Sequence, residues 1–452
     1  MFSRSFFHFT VTTTNDNTYT LIKLKTQKMY VCIQGCTHGQ FSEIYEDLER
    51  YQLERGIKFD LLLCCGDIEA VRNEQDMNCI SSPPKYRFMK SFHKYYSGEK
   101  TAPILTICIG GNHEASNHLQ ELELGGWLAP NIYYLGYSGA VKFGLNPDDP
   151  ESFIRIGGLG GIYEDKDYTK THFEKAPFRN DELYSVYHQK IVDTWRLKQL
   201  KFDKNSRFDF FMSHDWVSGI AFHNPNYRNS GLSPRHLESI ENFDEKKPIL
   251  GCGKTAKNKP FGSLANRQIL EYLKPKYWCA AHMHVKFFAT VKHEDQVETE
   301  YIALSKVPET RKTGLRKTDY LYHVEVSDKS NLPNSELYEE EKEYKLFHDL
   351  EWLTVVRKTH NFYQGQGEIP FVPKTIQGVR MPNPLSSHYQ ADLDSILETR
   401  KLMNDDFEIK QDNFVKTDGK ILPNPQTVNL YEKLKLNISS EPNKNFDEII
   451  FE

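Results

Sequence analysis

The chain has 452 residues, of which 38% are apolar and 13% aromatic, so it is long enough for one large domain with a smaller one appended. Its formal net charge of −5 excludes a protein that attracts nucleic acid through overall positive charge; such binding would need a local basic surface. No apolar run approaches the ~20 residues that span a bilayer. The eight cysteines follow no zinc-finger spacing and no secretory signal is evident, so we expect free thiols in a reducing compartment.

Residues 1–28 differ in composition from the rest of the chain. They are rich in Thr and Phe and contain one acidic residue, Asp16. This composition predicts a disordered extension, or an upstream start with Met29 as the functional first residue. A weak transit peptide is the alternative.

From residue 30 onward, strand-length apolar runs end in polar clusters. The six clearest runs are 30–34, 60–65, 104–109, 153–156, 208–212 and 277–281. Between the first two, residues 42–55 place Ile44, Leu48 and Tyr51 on one helical face. A strand, a helix and a strand in succession predict a βαβ unit and therefore a sheet with parallel strands.

The later part of the chain is more varied. Alternating apolar residues at 287–292, 301–304 and 320–326 predict antiparallel additions to the sheet, and 346–356 has the pattern of a helix. Polar, turn-prone stretches at 163–180 and 224–263 predict long loops, which are often functional. Pro and Asn clusters in the last 90 residues predict a partly disordered tail.

Five short motifs lie at or just beyond the ends of apolar runs. They are Gly35-Cys36-Thr37-His38-Gly39, Gly66-Asp67, Gly111-Asn112-His113-Glu114, Ser213-His214-Asp215 and Ala281-His282-Met283-His284. In an open α/β sheet the carboxyl ends of the strands converge on one crevice, so these distant motifs are expected to meet.

The residue types in these motifs suit a pair of divalent metal ions. Asp67 can offer one oxygen to each ion. We expect one ion to be completed by Cys36, His38 and His284, and the other by Asn112, His214 and His282. Two such ions can activate a water molecule and clamp a phosphoryl group. His113 stands beside a ligand and is predicted to donate a proton to the leaving oxygen. Alone, Gly66-Asp67 and the Gly-Asn-His-Glu motif are explained as turns, the His-x-His pair as surface or core histidines, and Cys36 as a buried apolar thiol. The five motifs in this order favour the metal centre.

The ordered set resembles the calcineurin-like metallophosphoesterases, whose series is Asp-x-His, Gly-Asp, Gly-Asn-His-Glu, His and Gly-His-x-His. Cys36 stands where that superfamily has Asp, and this departure resembles the intron lariat debranching enzymes, which carry Gly-Cys-x-His-Gly. Further stretches resemble the same family: Pro83-Pro84-Lys85-Tyr86, Gly125-Gly126-Trp127, Tyr133-Tyr134-Leu135-Gly136, Ser213-His214-Asp215-Trp216 and Asp349-Leu350-Glu351-Trp352-Leu353. The likeness covers about residues 29–360.

The resemblance implies an α/β fold: a calcineurin-like metallophosphoesterase β-sandwich flanked by helices, with a smaller C-terminal domain. It divides the chain into a disordered extension (1–28), a catalytic domain (29–310), a C-terminal lariat-debranching domain packed on the core (311–395) and a partly disordered tail (396–452). Within the catalytic domain, residues 161–185 would be the lariat recognition loop.

By the same resemblance, the activity is hydrolysis of the 2′–5′ phosphodiester at the branch point of excised intron lariats, with His113 protonating the departing 2′ oxygen. Five residues are expected to bind RNA: Tyr163, Tyr168, His172, Phe173 and Lys190. Aromatic rings can stack on splayed bases; the alternative is a loop whose aromatic side chains pack onto the core. Lys190 stands where the family typically has Arg, and a lysine cannot form the bidentate contact with phosphate that an arginine forms.

The expected cofactors are two divalent ions, Fe²⁺, Zn²⁺ or Mn²⁺, because a soft thiolate disfavours Mg²⁺. The expected partner is branched lariat RNA, with splicing-associated proteins as further candidates and no membrane. We expect a monomer in the nucleus, with the cytoplasm as a second location.

Two rival functions use the same fold. A phosphoprotein phosphatase or cyclic-nucleotide phosphodiesterase is one; the protein phosphatases would have Asp-Arg-Gly soon after Gly66-Asp67, and this sequence has none there. A non-catalytic scaffold is the other, and such a protein should have lost metal ligands. Every position here except Cys36 holds the residue type expected of a metal ligand in that superfamily.

Overall fold

The computed structural model describes residues 9–10, 22–23, 28–204, 207–244, 246–247, 257–308, 319–327, 343–363, 389–417 and 424–436. The predicted extension (1–28) therefore lies mostly outside the described residues, as does 437–452 of the predicted tail.

The described residues form fifteen strands. They are β1 (Phe9–Thr10), β2 (Ile22–Lys23), β3 (Lys28–Gln34), β4 (Leu61–Cys64), β5 (Thr106–Cys108), β6 (Gly126–Ala129), β7 (Ile132–Tyr134), β8 (Ser138–Gly144), β9 (Phe153–Leu159), β10 (Phe210–Ser213), β11 (Tyr277–Ala280), β12 (Phe287–Lys292), β13 (Glu298–Ala303), β14 (Leu321–Ser327) and β15 (Lys345–His348).

The same residues form eleven α-helices. They are α1 (Phe41–Arg55), α2 (Phe92–Ser97), α3 (Ser116–Gln120), α4 (Asp165–Tyr168), α5 (Glu182–Ser185), α6 (Ile191–Leu197), α7 (Pro234–Asn242), α8 (Leu264–Leu273), α9 (Leu350–Tyr363), α10 (Leu393–Leu402) and α11 (Pro425–Lys433). None of these helices has the length and apolar character required to cross a lipid bilayer.

Two mixed sheets carry most of the strands. The first has the order β14-β3-β4-β5-β7-β6, and its four central strands are parallel. The second has the order β12-β13-β11-β10-β9-β8-β15, with parallel pairing from β9 through β10 and β11 to β13. Antiparallel strands stand at the edges of both sheets. This agrees with the prediction for the segments that form β12 and β14, whereas β13, which contains most of the predicted segment 301–304, pairs antiparallel with β12 but parallel with β11.

The sheets pack face to face through alternate residues of their strands. Val31 and Ile33 of the first sheet share one apolar cluster with Ile154 and Ile156 of the second. The intervening residues point the other way, as side chains along a strand must. Cys32, for example, packs with residues of α1 on the outer face of the first sheet. The predicted β-sandwich flanked by helices is therefore confirmed.

Helix α1 illustrates how closely the sequence pattern is realised. The predicted face of Ile44, Leu48 and Tyr51 is buried. The helix ends at Gly56, whose left-handed backbone lets its N–H bond the carbonyls of the last turn.

The helix predicted at 346–356 is wrong in its first part. Lys345–His348 forms β15, which pairs antiparallel with β8, and the helix α9 starts only at Leu350. The carboxylate of Asp349 accepts the N–H of Trp352 at 3.0 Å, so it caps the new helix.

The C-terminal segments pack on the sandwich. The predicted tail from residue 396 contains most of α10 and all of α11, whose Tyr431 is buried. The predicted boundary at 395 falls inside α10. Gln426 of α11 bonds both the N–H and the carbonyl of Trp127 in β6, which fixes this helix against the edge of the first sheet.

A buried ion-pair cluster joins α9 to the second sheet. Arg155 of β9 pairs with Asp349 and, at 2.7 Å, with Glu351. The Asp349 side chain is only 1% exposed. Because Asp349 also caps α9, it serves both the ion pair and the helix end.

We predict that Asp349→Ala lowers the free energy of unfolding by about 3 kcal/mol or more, because it removes a buried partner of Arg155 and a helix cap. Urea denaturation measures the change. The control is Asp148→Ala, which removes one of two carboxylate partners of Arg400 at an exposed site and should cost about 0–1 kcal/mol. Equal losses in the two variants would contradict a structural role for the buried pair.

Candidate metal centre

All seven predicted metal ligands lie just beyond strand ends. Cys36 and His38 follow β3, Asp67 follows β4, Asn112 follows β5, His214 follows β10, and His282 and His284 follow β11. Parallel pairing within each sheet brings these strand ends to one edge, and face-to-face packing brings the two edges together. The structure therefore collects residues that are far apart in the sequence.

Left-handed backbone carries four of these side chains. The φ angles are 47° at His38, 51° at Asp67, 61° at His282 and 55° at His284. This conformation costs about 1–2 kcal/mol for a residue with a Cβ. Such strain persists where the surrounding fold enforces it, and it concentrates at functional sites.

Two glycines allow the motifs to approach one another. Gly66 has a φ of +100°, and a Cβ there would lie 2.4 Å from Nδ1 of His214. A Cβ on Gly111 would lie 2.3 Å from Oδ1 of Asp67. The glycines of the Gly-Asp and Gly-Asn motifs are thus required by the close packing of the ligands themselves.

The first group of donors is compact. Ligand atoms of Cys36, His38, Asp67 and His284 all lie within 4.8 Å of one another. Nε2 of His38 is 3.4 Å from Nε2 of His284 and 3.7 Å from Oδ2 of Asp67. Cys36 is fully buried, and its Sγ accepts the N–H of His282 at 3.1 Å. The donor set of one thiol, two imidazoles and a carboxylate suits a transition-metal ion.

The second group surrounds the other oxygen of Asp67. Nε2 of His214 is 3.2 Å from Oδ1 of Asp67 and also 3.2 Å from Oδ1 of Asn112. The ring of His282 lies with its centroid 5.0 Å from that of His214. Asp67 therefore presents one oxygen to each group, the geometry of a carboxylate that bridges two ions.

Hydrogen bonds fix the orientation of two ligands. Nδ1 of His214 donates to the carbonyl of Cys65 at 2.8 Å, which leaves Nε2 toward Asp67. Nδ1 of His38 lies 3.2 Å from Oε1 of Glu69, which likewise turns Nε2 toward the centre.

Glu114 stabilises the turns that carry the predicted metal ligands. The sequence motifs had given it no role. Its buried carboxylate accepts the N–H groups of Gly111, Ile68 and Glu69 at 2.6–3.0 Å. It thereby ties the turn after β4 to the turn after β5. The sequence signal was its place in the Gly-Asn-His-Glu motif.

The pKa shifts of the donor side chains favour the binding of a cation. Burial lowers the pKa of His282 to about 3 and that of His284 to about 4, so both imidazoles are neutral and have a lone pair to offer. Burial alone would raise the pKa of Asp67, but His214 and His38 hold it well below its usual range. Burial and the nearby Asp67 raise the pKa of the Cys36 thiol well above its usual value, so a thiolate there needs a bound cation.

His113 stands beside the first group of donors. Its ring lies edge-on to His38 with centroids 5.4 Å apart. Its Nδ1 is 2.7 Å from the hydroxyl of Ser82, so the ring is anchored and Nε2 is the remaining nitrogen for proton exchange. Ser82 was not found from the sequence.

Four of the five residues predicted to bind RNA are packed against other side chains of the protein. Tyr163 and Tyr168 are 3% and 4% exposed and contact each other. His172 stacks on Tyr137 at 4.1 Å and contacts Asp193, and the buried Lys190 donates to Glu174 at 2.9 Å. Phe173, in contrast, is 39% exposed. The open surface expected of the other four is therefore absent in this structure, and RNA contact stays a prediction for all five.

We predict that Asp67→Ala abolishes binding of both metal ions, whereas His284→Ala loses only one of about two per chain, because Asp67 alone faces both groups. Elemental analysis of purified protein measures the content. Asp60→Asn, at the opposite end of β4, is the control and should bind as much as the wild-type chain. If Asp67→Ala retained a full equivalent of metal per chain, Asp67 would not be a ligand shared by the two ions.

Comparison with known proteins places this centre in a family. The calcineurin-like phosphoesterase family matches residues 29–286, and the lariat debranching enzyme C-terminal domain matches residues 296–439. The first of these families implies a centre of two divalent metal ions, which agrees with the donors described above.

Curated relatives are similar over about three quarters of the chain. The lariat debranching enzyme of Danio rerio is 44% identical over 74% of this chain and 52% of its own length. That of Homo sapiens is 40% identical over 76% and 56%, and that of Arabidopsis thaliana is 40% identical over 74% and 69%. The match thus spans about half to two thirds of each relative. The chain belongs to the calcineurin-like phosphoesterases, and within them to the family that carries the lariat debranching enzyme C-terminal domain.

Proposed function

We propose that this protein hydrolyses the 2′–5′ phosphodiester at the branch point of excised intron lariats, and so linearises introns for turnover. The observation that carries the proposal is the pair of donor groups that share Asp67, in a chain with the lariat debranching C-terminal domain. The relatives named lariat debranching enzymes support this substrate over a phosphoprotein or a cyclic nucleotide. The intact donor set argues against a non-catalytic scaffold.

Two divalent ions held here would polarise the phosphoryl oxygens and supply a water nucleophile near neutral pH. The protein's part is to hold the donors in position. Asp67 sets the spacing of the two groups, and Glu114 holds the turns that carry Asp67 and Asn112. Asp67, His214 and Cys36 are buried, whereas His284 is exposed, so the centre is accessible to a substrate from the side of His284.

His113 is the proposed proton donor. The departing 2′ oxygen needs a proton as its bond to phosphorus breaks, and a positioned imidazole can supply one. Ser82 holds the ring through Nδ1, and the N–H of His113 is bonded to Oδ1 of Asp67 at 2.9 Å. Its backbone therefore touches the bridging carboxylate while its side chain is left to interact with substrate.

We propose Fe²⁺, Zn²⁺ or Mn²⁺ as the ions. Cys36 offers a soft sulfur donor, and its buried thiol would ionise only beside a cation. The second group has oxygen and nitrogen donors from Asp67, Asn112 and His214, which accept any of the three.

The proposed activity predicts cleavage of a synthetic branched RNA at its 2′–5′ bond, with linear 3′–5′ RNA spared, when the chain is supplied with Fe²⁺, Zn²⁺ or Mn²⁺. Gel analysis of labelled RNA across a metal series measures it, with a phosphopeptide as the competing substrate. Intact branched RNA together with phosphopeptide hydrolysis would overturn the function. Equal rates with Mg²⁺ alone would overturn the metal assignment.

His113→Ala is predicted to lower kcat on branched RNA by about 10²–10⁴-fold with little change in metal content, because a proton donor is lost while the ligands remain. Kinetics and elemental analysis of the same preparation test this. His223→Ala, a histidine on the turn at Ile220–His223, should leave both values unchanged. Metal loss by His113→Ala as severe as that of Asp67→Ala would contradict the role of proton donor.

A further inference from the structure

A short segment beside the metal centre presents two exposed aromatic side chains. In residues 81–91, here called the rim segment, Tyr86 is 61% exposed and Phe88 is 56% exposed. Large apolar side chains exposed on one segment commonly mark a binding surface.

The start of the rim segment is hydrogen-bonded to the site itself. The hydroxyl of Ser81 donates to the carbonyl of Asn112 at 2.9 Å. The hydroxyl of Ser82 lies 2.7 Å from Nδ1 of His113. The segment therefore begins in contact with a metal ligand and with the proposed proton donor.

The end of the segment returns to the first motif. The N–H of Ser91 donates to the carbonyl of Gly39 at 3.0 Å, and Gly39 directly follows the ligand His38. Lys90, the residue before Ser91, has a left-handed backbone with a φ of 49°. Both ends are thus fixed at the edge of the centre.

The middle of the segment is held in place rather than free to collapse. Nε of Arg87 donates to the carbonyl of Ser82 at 2.7 Å, and the N–H of Tyr86 donates to the carbonyl of Pro83 at 2.9 Å. Met89 packs against a small buried apolar cluster. The two rings therefore point outward from an ordered backbone, which lowers the entropy lost when a partner binds.

The charge of this region is opposite to that of the whole chain. Residues 81–98 contain Lys85, Arg87, Lys90 and Lys94 and no acidic residue, in a chain of net charge −5. Nζ of Lys85 lies 4.8 Å from the centroid of the Tyr86 ring, and Nζ of Lys90 lies 5.5 Å from that of Phe88. An aromatic face with an ammonium beside it suits a nucleotide, because the base stacks on the ring while the phosphate meets the cation.

We propose that the rim segment binds the single-stranded nucleotides that flank the scissile branch. Tyr86 and Phe88 stack on bases, and Lys85 and Lys90 contact phosphates. The assignment rests on the proposed function, since branched RNA is the substrate whose flanking strands would reach this surface.

The test is the double variant Tyr86→Ala/Phe88→Ala. It raises KM for a branched RNA with single-stranded arms about ten-fold or more, because stacking on two bases is lost. The rates on bis(4-nitrophenyl) phosphate, which has no base to stack, and kcat on RNA stay unchanged. The ring-preserving double variant Tyr86→Phe/Phe88→Tyr keeps the wild-type KM. Lys85→Ala/Lys90→Ala also raises KM and weakens its dependence on salt.

Phe222→Ala is the matched control. Phe222 is also 61% exposed, but it lines a cleft with Lys292 and His293. Lys292 is the last residue of β12 and pairs with Glu298, whereas Phe287, at the other end of β12, pairs with Ala303. Phe222 thus shares this cleft with the end of β12 that is remote from His282 and His284, and this variant leaves KM unchanged.

Fluorescence anisotropy of labelled linear single-stranded RNA with the metal-loaded full chain gives a readout independent of turnover. Binding weakens about ten-fold in Tyr86→Ala/Phe88→Ala and not in Phe222→Ala. If wild-type protein cleaves branched RNA but the two variants have equal KM and equal RNA binding, the role of the rim segment is refuted. If wild-type protein leaves branched RNA intact, the proposed function fails, and this assignment with it.

Discussion

The carboxylate of Asp67 is the interaction on which the arrangement of the centre depends. Oδ1 accepts the N–H groups of Asn112 and His113 at 3.0 and 2.9 Å and lies 3.2 Å from Nε2 of His214. Oδ2 faces His38. One buried side chain therefore joins the turns after β4 and β5 to a histidine of each sheet. A buried carboxylate requires positive charge nearby. The Asp67 carboxylate therefore connects the edges of the two sheets and also favours the binding of cations beside it.

The fold must supply free energy to hold this arrangement. The left-handed backbone of four predicted ligands costs several kcal/mol together, a large fraction of the roughly 5–15 kcal/mol that separates a typical folded domain from its unfolded state. The compensation comes from the surroundings of the turns: buried parallel strands before each of them, and the three N–H groups gathered by Glu114. The strain is therefore a consequence of packing two sheets so that their strand ends share one carboxylate.

Much of the fold and of the metal centre follows from sequence because both depend on local pattern. Strands buried on both faces give continuous apolar runs, and a glycine next to a ligand marks a turn that tolerates no Cβ. The missed features depend on distant contacts. Residues 346–347 are apolar in a helix or a strand alike, and only the pairing of β15 with β8 decides. Nothing near Lys190 in the sequence reveals that Glu174 neutralises it inside the protein, and its predicted role in RNA binding came from the family resemblance alone.

The residues after the phosphoesterase match are part of the centre's support. That match ends at residue 286, yet the carbonyl of Ser305 accepts the N–H of Cys36 at 3.2 Å, and its hydroxyl donates to the carbonyl of His284 at 2.9 Å. A Cβ on Gly35 would lie 1.9 Å from that same Ser305 carbonyl, so the two segments are in direct contact. Ser305 falls within the region matched by the C-terminal domain. The two matched regions therefore cannot be independent modules around this centre, because a residue of the second positions two predicted metal ligands of the first, Cys36 and His284. Cys36 is also the position at which the sequence departs from the Asp of the motif series that it resembles.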